Sequence, residues 1–323
     1  MSRPADFGDV GRLLRAAVGD VFPAAQLVIL DGGQPVWEAT VGDATLETLF
    51  DIASLTKPLS TVTLCMLALE RGLVRLEDQP RPACTVELLL SHASGLPAWR
   101  ALGTEARSRA EIVKRARREP LESAPGEVAR YSDLGFILLG DHLESRLGAR
   151  LDALFAVEIA GPLGLGLRFL PEASACAPTR GERRGLVDDD NCRAMDGVAG
   201  HAGLFSTARD VAAYAAALLR IWAGTPGLVR PDTLRRFWTP STVPRSTWCL
   251  GWDRPSAVGS SAGAAWPRDG VGHLGFTGCS LWLDPPRGRG VVLLSNRVHP
   301  SDVNNRIKTF RPLIHDAVCR AFG

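Results

Sequence analysis

A serine and a lysine three residues apart form the first candidate chemical group in this 323-residue chain. Ser54-Leu55-Thr56-Lys57 opens a helical pattern, and residues at positions i and i+3 of a helix share one face. The lysine amine can accept the seryl proton if its pKa is lowered. The free backbone N–H groups at the helix start can then hold a developing oxyanion. The alternative is a serine that caps the helix beside an exposed lysine.

Lysine is scarce in this chain. It accounts for only three of the 37 lysines and arginines, at Lys57, Lys114 and Lys308. An ammonium group can lose its proton when it is buried, whereas a guanidinium group in practice cannot. A lysine that persists in an arginine-rich chain is therefore a candidate for acid–base chemistry, and Lys57 is flanked by apolar residues.

Two further motifs could act together with the serine and the lysine. Tyr131-Ser132-Asp133 begins another predicted helix, and a tyrosine beside an ammonium loses its proton more easily and can relay it. The alternative is a helix cap with a packed aromatic ring. Residues 272–278 form a glycine-rich loop before an apolar strand, where the backbone can approach a substrate closely. His273 in this loop would bond to a substrate or to the tyrosine, or would lie at a polar rim.

The three motifs Ser54-Leu55-Thr56-Lys57, Tyr131-Ser132-Asp133 and His273-Leu274-Gly275 resemble, in kind and order, those of the serine β-lactamase and penicillin-binding-protein superfamily. The tyrosine and the His-x-Gly pattern resemble the class C β-lactamase-related branch, which includes esterases, D-amino-acid-specific peptidases and amidases. Residues 88–97 and 200–207 also resemble this branch. The resemblance extends from residue 24 to the C-terminus.

The resemblance implies roles for five residues. Ser54 would be the acylated nucleophile, and Lys57 would be its base, working with Tyr131. The backbone amides of Ser54 and Phe276 would form the oxyanion hole, and His273 would help to bind the polar end of the substrate. The resemblance implies no metal ion and no organic cofactor.

Asp133 departs from the family pattern, in which the second motif usually ends in asparagine. Asparagine can donate to a substrate carbonyl, whereas an ionised aspartate only accepts. A carboxylate near Lys57 also favours the charged amine, which is the poorer base, so we expect catalysis but not efficient penicillinase activity. Asp133, Gly275 and Arg297 join His273 as candidates for substrate binding. Arg297 follows the last strand, where it could receive a substrate carboxylate or cap the strand.

Three other patterns carry less weight. The segment Gly259-Ser260-Ser261-Ala262-Gly263 fits the nucleophile elbow of α/β-hydrolases, but it lacks the strand before it and the helix after it that the elbow needs. Asp188-Asp189-Asp190-Asn191 is followed by Cys192, which breaks any calcium-binding loop, so we predict a solvated loop. His92 and His201 are predicted to be structural.

The predicted elements place strands at both ends of the chain. We predict helices over residues 8–20, 55–71, 85–91, 132–147, 207–222 and 303–322, a hairpin over 26–41, and strands over 278–283 and 290–295. This order favours an α+β fold with an antiparallel sheet built from residues 1–73 and 246–323 and flanked by helices. Residues 74–245 would form an inserted, mostly helical domain, with a ligand cleft between the two.

Composition excludes several classes of function. The net charge is +2 without a dense block of lysine and arginine, which argues against a nucleic-acid partner. No apolar run reaches the ~18 residues that a membrane span needs. The N-terminus carries Arg3, Asp6 and Asp9 but no apolar leader segment, and the seven cysteines are scattered, which favours free thiols. We therefore predict a cytoplasmic protein, exported only if a leader has been removed.

The sequence thus predicts a serine hydrolase that forms an acyl-enzyme on an ester, amide or β-lactam carbonyl of a small-molecule or peptide-like substrate. Because the targets of β-lactamases and wall peptidases lie outside the cytoplasm, an intracellular esterase, or an amidase acting on imported cell-wall fragments, fits better. Two alternatives remain. One is a non-catalytic ligand-binding member of the family, which Asp133 alone supports. The other is an α/β-hydrolase that uses Ser261 and requires a parallel sheet.

Overall fold

The computed structural model describes residues 5–104, 106 and 108–323. Arg3, which entered the leader argument, lies outside these residues. The described strands are β1 (Ala24–Asp31), β2 (Gln34–Gly42), β3 (Phe50–Asp51), β4 (Arg168–Phe169), β5 (Leu204–Ser206), β6 (Val271–Leu274), β7 (Ser280–Asp284) and β8 (Arg289–Ser295). The described helices are α1 (Gly8–Ala16), α2 (Thr63–Glu70), α3 (Val86–Leu90), α4 (Arg109–Arg118), α5 (Asp133–Leu147), α6 (Leu151–Phe155), α7 (Gly161–Leu163), α8 (Asp190–Arg193), α9 (Ala208–Trp222), α10 (Pro231–Phe237) and α11 (Ile307–Phe322). Within this part of the chain, no helix has both the length and the apolar character to cross a membrane.

The main sheet is built from both ends of the chain. Its strand order is β2-β1-β8-β7-β6, and each neighbouring pair is antiparallel. The predicted α+β architecture is thereby confirmed, although the division into two domains at residues 73 and 246 stays a prediction. Strand β6 lies at one edge of this sheet, so its side chains and the turn that follows it are available to line a site.

Strand β1 shows why the sheet is buried on both faces. Its side chains alternate between the two faces. Leu27 and Ile29 belong to the core under α1 and α11, whereas Val28 and Leu30 belong to the larger core that includes α2, α5 and α9. A continuous apolar strand is expected where helices cover both faces of a sheet. Helix α9 packs directly on β1 and β8.

The segment that carries the serine and the lysine does not form the regular helix predicted over residues 55–71. It begins with a tight turn at Ala53–Leu55, widens into a π-helical turn at Lys57–Val62, and becomes α-helical only in α2. Pro58 has no amide hydrogen to donate. Its carbonyl oxygen accepts hydrogen bonds from the hydroxyl groups of Thr63 at 3.0 Å and Tyr214 at 3.2 Å.

The glycine-rich segment also differs from its prediction. Residues 271–274 form strand β6, paired with β7, and only residues 275–279 turn. A Cβ atom on Gly272 would lie 2.3 Å from the ring of Trp282, so this glycine serves the packing of a strand. The second sheet, β3-β5-β4, was not predicted because its strands have only two or three residues. The terminal helices are shorter than predicted, ending at Ala16 and beginning at Ile307.

Two glycines bring the loop before β5 against α5. A Cβ atom on Gly200 would lie 2.2 Å from the carbonyl oxygen of Phe136, and one on Gly140 would lie 3.0 Å from Gly200 Cα. This close approach delivers two backbone carbonyls to the lysine segment. Gly200 O accepts the hydroxyl of Thr61 at 2.7 Å, and the carbonyl of the next residue reaches the lysine itself.

A methyl group added at this contact should destabilise the protein. We expect Gly200→Ala to lower the free energy of unfolding by about 1–3 kcal/mol, because the new atom would have to displace backbone. Urea unfolding followed by tryptophan fluorescence measures the change. Gly135→Ala is the matched control, since its Cβ would meet a Leu89 methyl at 3.4 Å and alanine favours the helix. Equal losses in the two variants would contradict this interpretation.

Candidate active site

Ser54 lies on a bent turn directly after β3. The preceding residue, Ala53, has a left-handed backbone with a φ of 47°, which an alanine adopts only when its surroundings enforce it. Asp51 provides that enforcement, because its Oδ1 accepts the Ala53 amide at 2.9 Å and its Oδ2 accepts the Asp188 amide at 2.7 Å. Burial raises the pKa of Asp51 to about 7. The turn holds Ser54 in one orientation at the end of a short strand.

The structure brings the first two sequence motifs into direct contact. Lys57 Nζ lies 2.9 Å from Ser54 Oγ, 2.6 Å from Tyr131 Oη and 2.6 Å from Asp133 Oδ1. Tyr131 Oη lies 2.6 Å from Ser54 Oγ. The lysine side chain is fully buried, and its fourth neighbour is the carbonyl oxygen of His201 at 3.0 Å.

The partners of Lys57 determine where its lone pair can point. Burial lowers the pKa of Lys57, while the Asp133 carboxylate opposes this by raising it. The Asp133 carboxylate and the His201 carbonyl can only accept hydrogen bonds. In the neutral amine they would keep the two N–H groups, and the lone pair would then face the hydroxyls of Ser54 and Tyr131. This arrangement can take a proton from the serine.

Tyr131 behaves differently from the sequence-based expectation that a nearby lysine would ease its ionisation. Burial raises the pKa of Tyr131 well above its usual range, and the Asp133 carboxylate raises it further. The phenol therefore stays protonated at neutral pH. Since its oxygen touches both Ser54 Oγ and Lys57 Nζ, it can pass a proton between them without becoming an anion.

His92 fixes the backbone on either side of Tyr131 through hydrogen bonds to the two neighbouring residues. Its Nδ1 accepts the amide of Ser132 at 3.1 Å, and its carbonyl oxygen accepts the amide of Arg130 at 2.7 Å. The two ring centres lie 4.7 Å apart. Burial lowers the pKa of His92 well below its usual range, so the imidazole is neutral. Ser132 Oγ in turn caps α5 by accepting the Gly135 amide, so the helix cap that the sequence offered as an alternative is present as well.

The acidic segment 188–191 is anchored by specific contacts and is not the predicted solvated loop, although Asp190 is exposed. Asp189 Oδ1 lies 2.8 Å from His201 Nε2 and caps the start of α8 by accepting the Cys192 amide. Although burial works in the opposite direction, the imidazole beside it lowers the pKa of Asp189 to about 2. Asp188 is buried and accepts a hydrogen bond from Arg180. The prediction failed because the partners of these carboxylates lie elsewhere in the chain.

His273 presents an unused hydrogen-bond acceptor beside the tyrosine. It lies on β6, and the carbonyl of Leu274 can only accept, so His273 Nδ1 carries the proton in their 2.8 Å hydrogen bond. Burial lowers the pKa of His273 to about 3. Its Nε2 therefore keeps a lone pair, and it has no partner among the described residues. The ring centre lies 6.2 Å from that of Tyr131.

The turn after β6 packs against the segment that precedes Ser54. A Cβ atom on Gly275 would lie 2.4 Å from the carbonyl oxygen of Ile52, so only glycine fits here. Within the described residues, no hydrogen-bond acceptor contacts the backbone amides of Ser54 and Phe276. Neither N–H group is therefore engaged by a residue of that part of the chain, and their role as an oxyanion hole stays a prediction.

Arg297 contacts this turn through its side chain. Its Nε donates to the carbonyl of Phe276 at 2.8 Å, and its Nη1 donates to the carbonyl of Asp302 at 2.9 Å. Its guanidinium also lies 4.3 Å from the centre of the Phe276 ring. These contacts place Arg297 where it orders the turn, and a role in binding a substrate carboxylate stays a prediction.

Trp248 belongs to the site, although no sequence pattern indicated it. Its ring centre lies 4.4 Å from that of His92, 5.8 Å from that of Tyr131 and 5.7 Å from that of His273. It is one of eight tryptophans and lies in a loop without periodicity. Ser261, by contrast, lies in a turn with no strand directly before it, and the described strand pairs are antiparallel. The structure therefore provides no nucleophile elbow there.

Comparison with known proteins agrees with this architecture. The chain is 26% identical over 86% of its length to a putative D-alanyl-D-alanine carboxypeptidase of Escherichia coli K12, covering 79% of that protein. It is 27% identical over 90% of its length to an N-acetylmuramyl-L-alanine amidase of Bacillus subtilis, covering 80% of it. An octameric penicillin-binding protein homologue from Pyrococcus abyssi shares the fold, with a TM-score of 0.77 and 20% identity over 95% of this chain and 76% of that one.

The family comparison covers almost the whole chain. Residues 10–313 match the family model described as Beta-lactamase. This range includes all three sequence motifs, both sheets and the first two turns of α11. The chain therefore belongs to the Beta-lactamase family of hydrolases.

Proposed function

We propose that this chain is a serine hydrolase that cleaves an ester or amide through an acyl-enzyme on Ser54. The observation that carries the proposal is the contact of Ser54 Oγ with two groups that can move its proton, Lys57 Nζ at 2.9 Å and Tyr131 Oη at 2.6 Å. A serine hydroxyl is a weak nucleophile until an adjacent base accepts its proton.

The proposed reaction has two halves. Ser54 Oγ attacks the substrate carbonyl carbon while its proton passes to neutral Lys57, directly or through Tyr131. The carbonyl oxygen becomes an oxyanion, which the amides of Ser54 and Phe276 would hold. The tetrahedral intermediate then collapses, and Lys57 returns the proton to the leaving alkoxide or amine. A water molecule attacks the acyl-enzyme by the same route and releases the acid.

For the substrate we propose a peptide-like amide, with activated esters as more reactive surrogates. The names of the relatives from Escherichia coli and Bacillus subtilis, a carboxypeptidase and an amidase, support this class. The unused acceptor on His273 Nε2 suits an N–H or O–H donor of such a substrate. Asp133 in contact with Lys57 favours the second candidate, a non-catalytic ligand-binding protein, because it stabilises the charged amine.

Covalent labelling distinguishes the two candidates. We expect a fluorophosphonate to form one stoichiometric adduct on Ser54, detected by peptide-mapped mass spectrometry, since such probes trap activated serines. Ser54→Ala should lose both the adduct and all turnover of p-nitrophenyl acetate, whereas Ser261→Ala should keep both. Turnover retained by Ser54→Ala would refute the proposed nucleophile. A folded wild-type protein that forms no adduct would favour the ligand-binding candidate.

The pH dependence of catalysis should report the base. Lys57 must be neutral to accept a proton, so kcat/KM should rise with pH as the amine deprotonates. Asp133 raises the pKa of Lys57; Asp133→Asn should therefore move this acidic limb to lower pH, by about one unit or more. Asp141→Asn on the same helix, which removes a contact with Arg117, is the control and should leave the limb in place. If the acidic limb of kcat/KM in Asp133→Asn stays at the wild-type pH or moves to higher pH, this would contradict Lys57 as the base.

A further inference from the structure

Arg311 is a buried cation with no carboxylate beside it. It lies on α11, under the turn that follows β6, and is only 7% exposed. Its Nη2 donates to the carbonyl oxygens of Gly275 at 2.6 Å and Cys279 at 2.7 Å. Its Nε has no hydrogen-bond partner among the described residues, and no ion pair joins it to any carboxylate in that part of the chain.

Such an arrangement is unfavourable for folding alone. A buried charge is costly unless a countercharge compensates it, and neutral side chains could link a helix to a turn at lower cost. Burial lowers the pKa of Arg311 to about 10, so the guanidinium remains charged at neutral pH. The charge therefore lies where two backbone carbonyls converge. We expect it to have a function that a neutral group would not supply.

The peptide bond between Gly275 and Phe276 connects this charge to the site. The carbonyl oxygen that Arg311 contacts and the N–H of Phe276 belong to the same peptide group. A hydrogen bond from a cation to the oxygen draws electrons toward it and makes the N–H of that group a stronger donor. Arg297 differs, because it contacts the Phe276 carbonyl, whose peptide group carries the N–H of Thr277.

We propose that Arg311 is a positioning residue of the oxyanion hole, which strengthens the Phe276 N–H by polarising the Gly275–Phe276 peptide. This inference rests on the proposed function, in which that N–H holds the oxyanion. The same guanidinium also fixes the shape of the turn. Cys279 O accepts both Arg311 Nη2 and the amide of Gly275 at 2.7 Å, so the charge holds both ends of the turn together.

Two substitutions separate the charge from the hydrogen bond. Arg311→Gln can keep a neutral hydrogen bond to the turn, whereas Arg311→Lys keeps the charge. The substrates are p-nitrophenyl acetate and its thiono analogue, in which sulfur replaces the carbonyl oxygen and accepts hydrogen bonds poorly. A strong oxyanion hole favours the oxygen ester, so the ratio of the two kcat values measures the strength of the hole.

We expect Arg311→Gln to lower kcat for the oxygen ester by about tenfold or more, with little change in KM, and to shrink the oxygen-to-sulfur ratio to a similar extent. Arg311→Lys should keep most of the ratio. Ile314→Ala shortens a buried side chain of the same helix. This side chain packs in the core between the main sheet and helices α1 and α11. As the control for lost stability, it should leave the ratio unchanged.

A ratio that stays at the wild-type value in Arg311→Gln, or that collapses in Arg311→Lys, would overturn the proposal and leave Arg311 a structural residue. If the glutamine variant does not fold, the lysine variant is measured alone. A ratio close to the wild-type value then supports the proposal, and a collapsed ratio overturns it. Failure of the proposed function is distinguishable, because the wild-type protein would then form no fluorophosphonate adduct on Ser54. A normal adduct together with an unchanged ratio would reject only the role of Arg311.

Discussion

A buried amine must find a hydrogen-bond acceptor for each of its protons, and this requirement organises the structure around Lys57. Its four oxygen neighbours come from the turn at Ser54, the start of α5 and the loop before β5. Three contacts hold these oxygens in place. They are the close approach of Gly200 to α5, the hydrogen bonds of His92 to the residues on either side of Tyr131, and the hydrogen bond between His201 and Asp189. Burial and the Asp133 carboxylate then act on the amine in opposite directions, so the balance between them sets its readiness to accept a proton.

The two sides of Ser54 differ in the chemical groups that they present. On one side of Ser54 lie Lys57, which is the base in the proposed reaction, and the acceptors of Asp133 and the His201 carbonyl. On the other side lies the turn after β6, whose consecutive carbonyls are occupied by Arg311 and Arg297. In the proposed reaction, a proton leaving the serine would move toward the first side, and negative charge on a substrate oxygen would develop beside the second. Acyl transfer needs this separation.

The sequence was informative wherever the signal was local. The apolar run of β1, the threonines Thr85 and Thr207 that cap α3 and α9, and the spacing of Ser54 and Lys57 can all be interpreted from neighbouring residues. They led to the correct fold and family. The site features that were missed depend on distant partners. Asp189 resembled a solvated acid because His201 lies beyond α8, and Trp248 gained its place only when its loop paired beside β6. No sequence pattern indicated Arg311, because its burial depends on the turn above it.

The protonation of Lys57 can be measured directly, because the chain has only three lysines. In protein labelled with ¹³C and ¹⁵N at lysine, Lys114→Arg and Lys308→Arg assign the other two side-chain signals, and the remaining signal is followed across a pH titration. The account predicts that Lys57 loses its proton below the ordinary lysine value of about 10.4, and at a still lower pH in Asp133→Asn. A Lys57 signal that titrates at or above that value in both proteins would contradict a buried amine that serves as the base for Ser54.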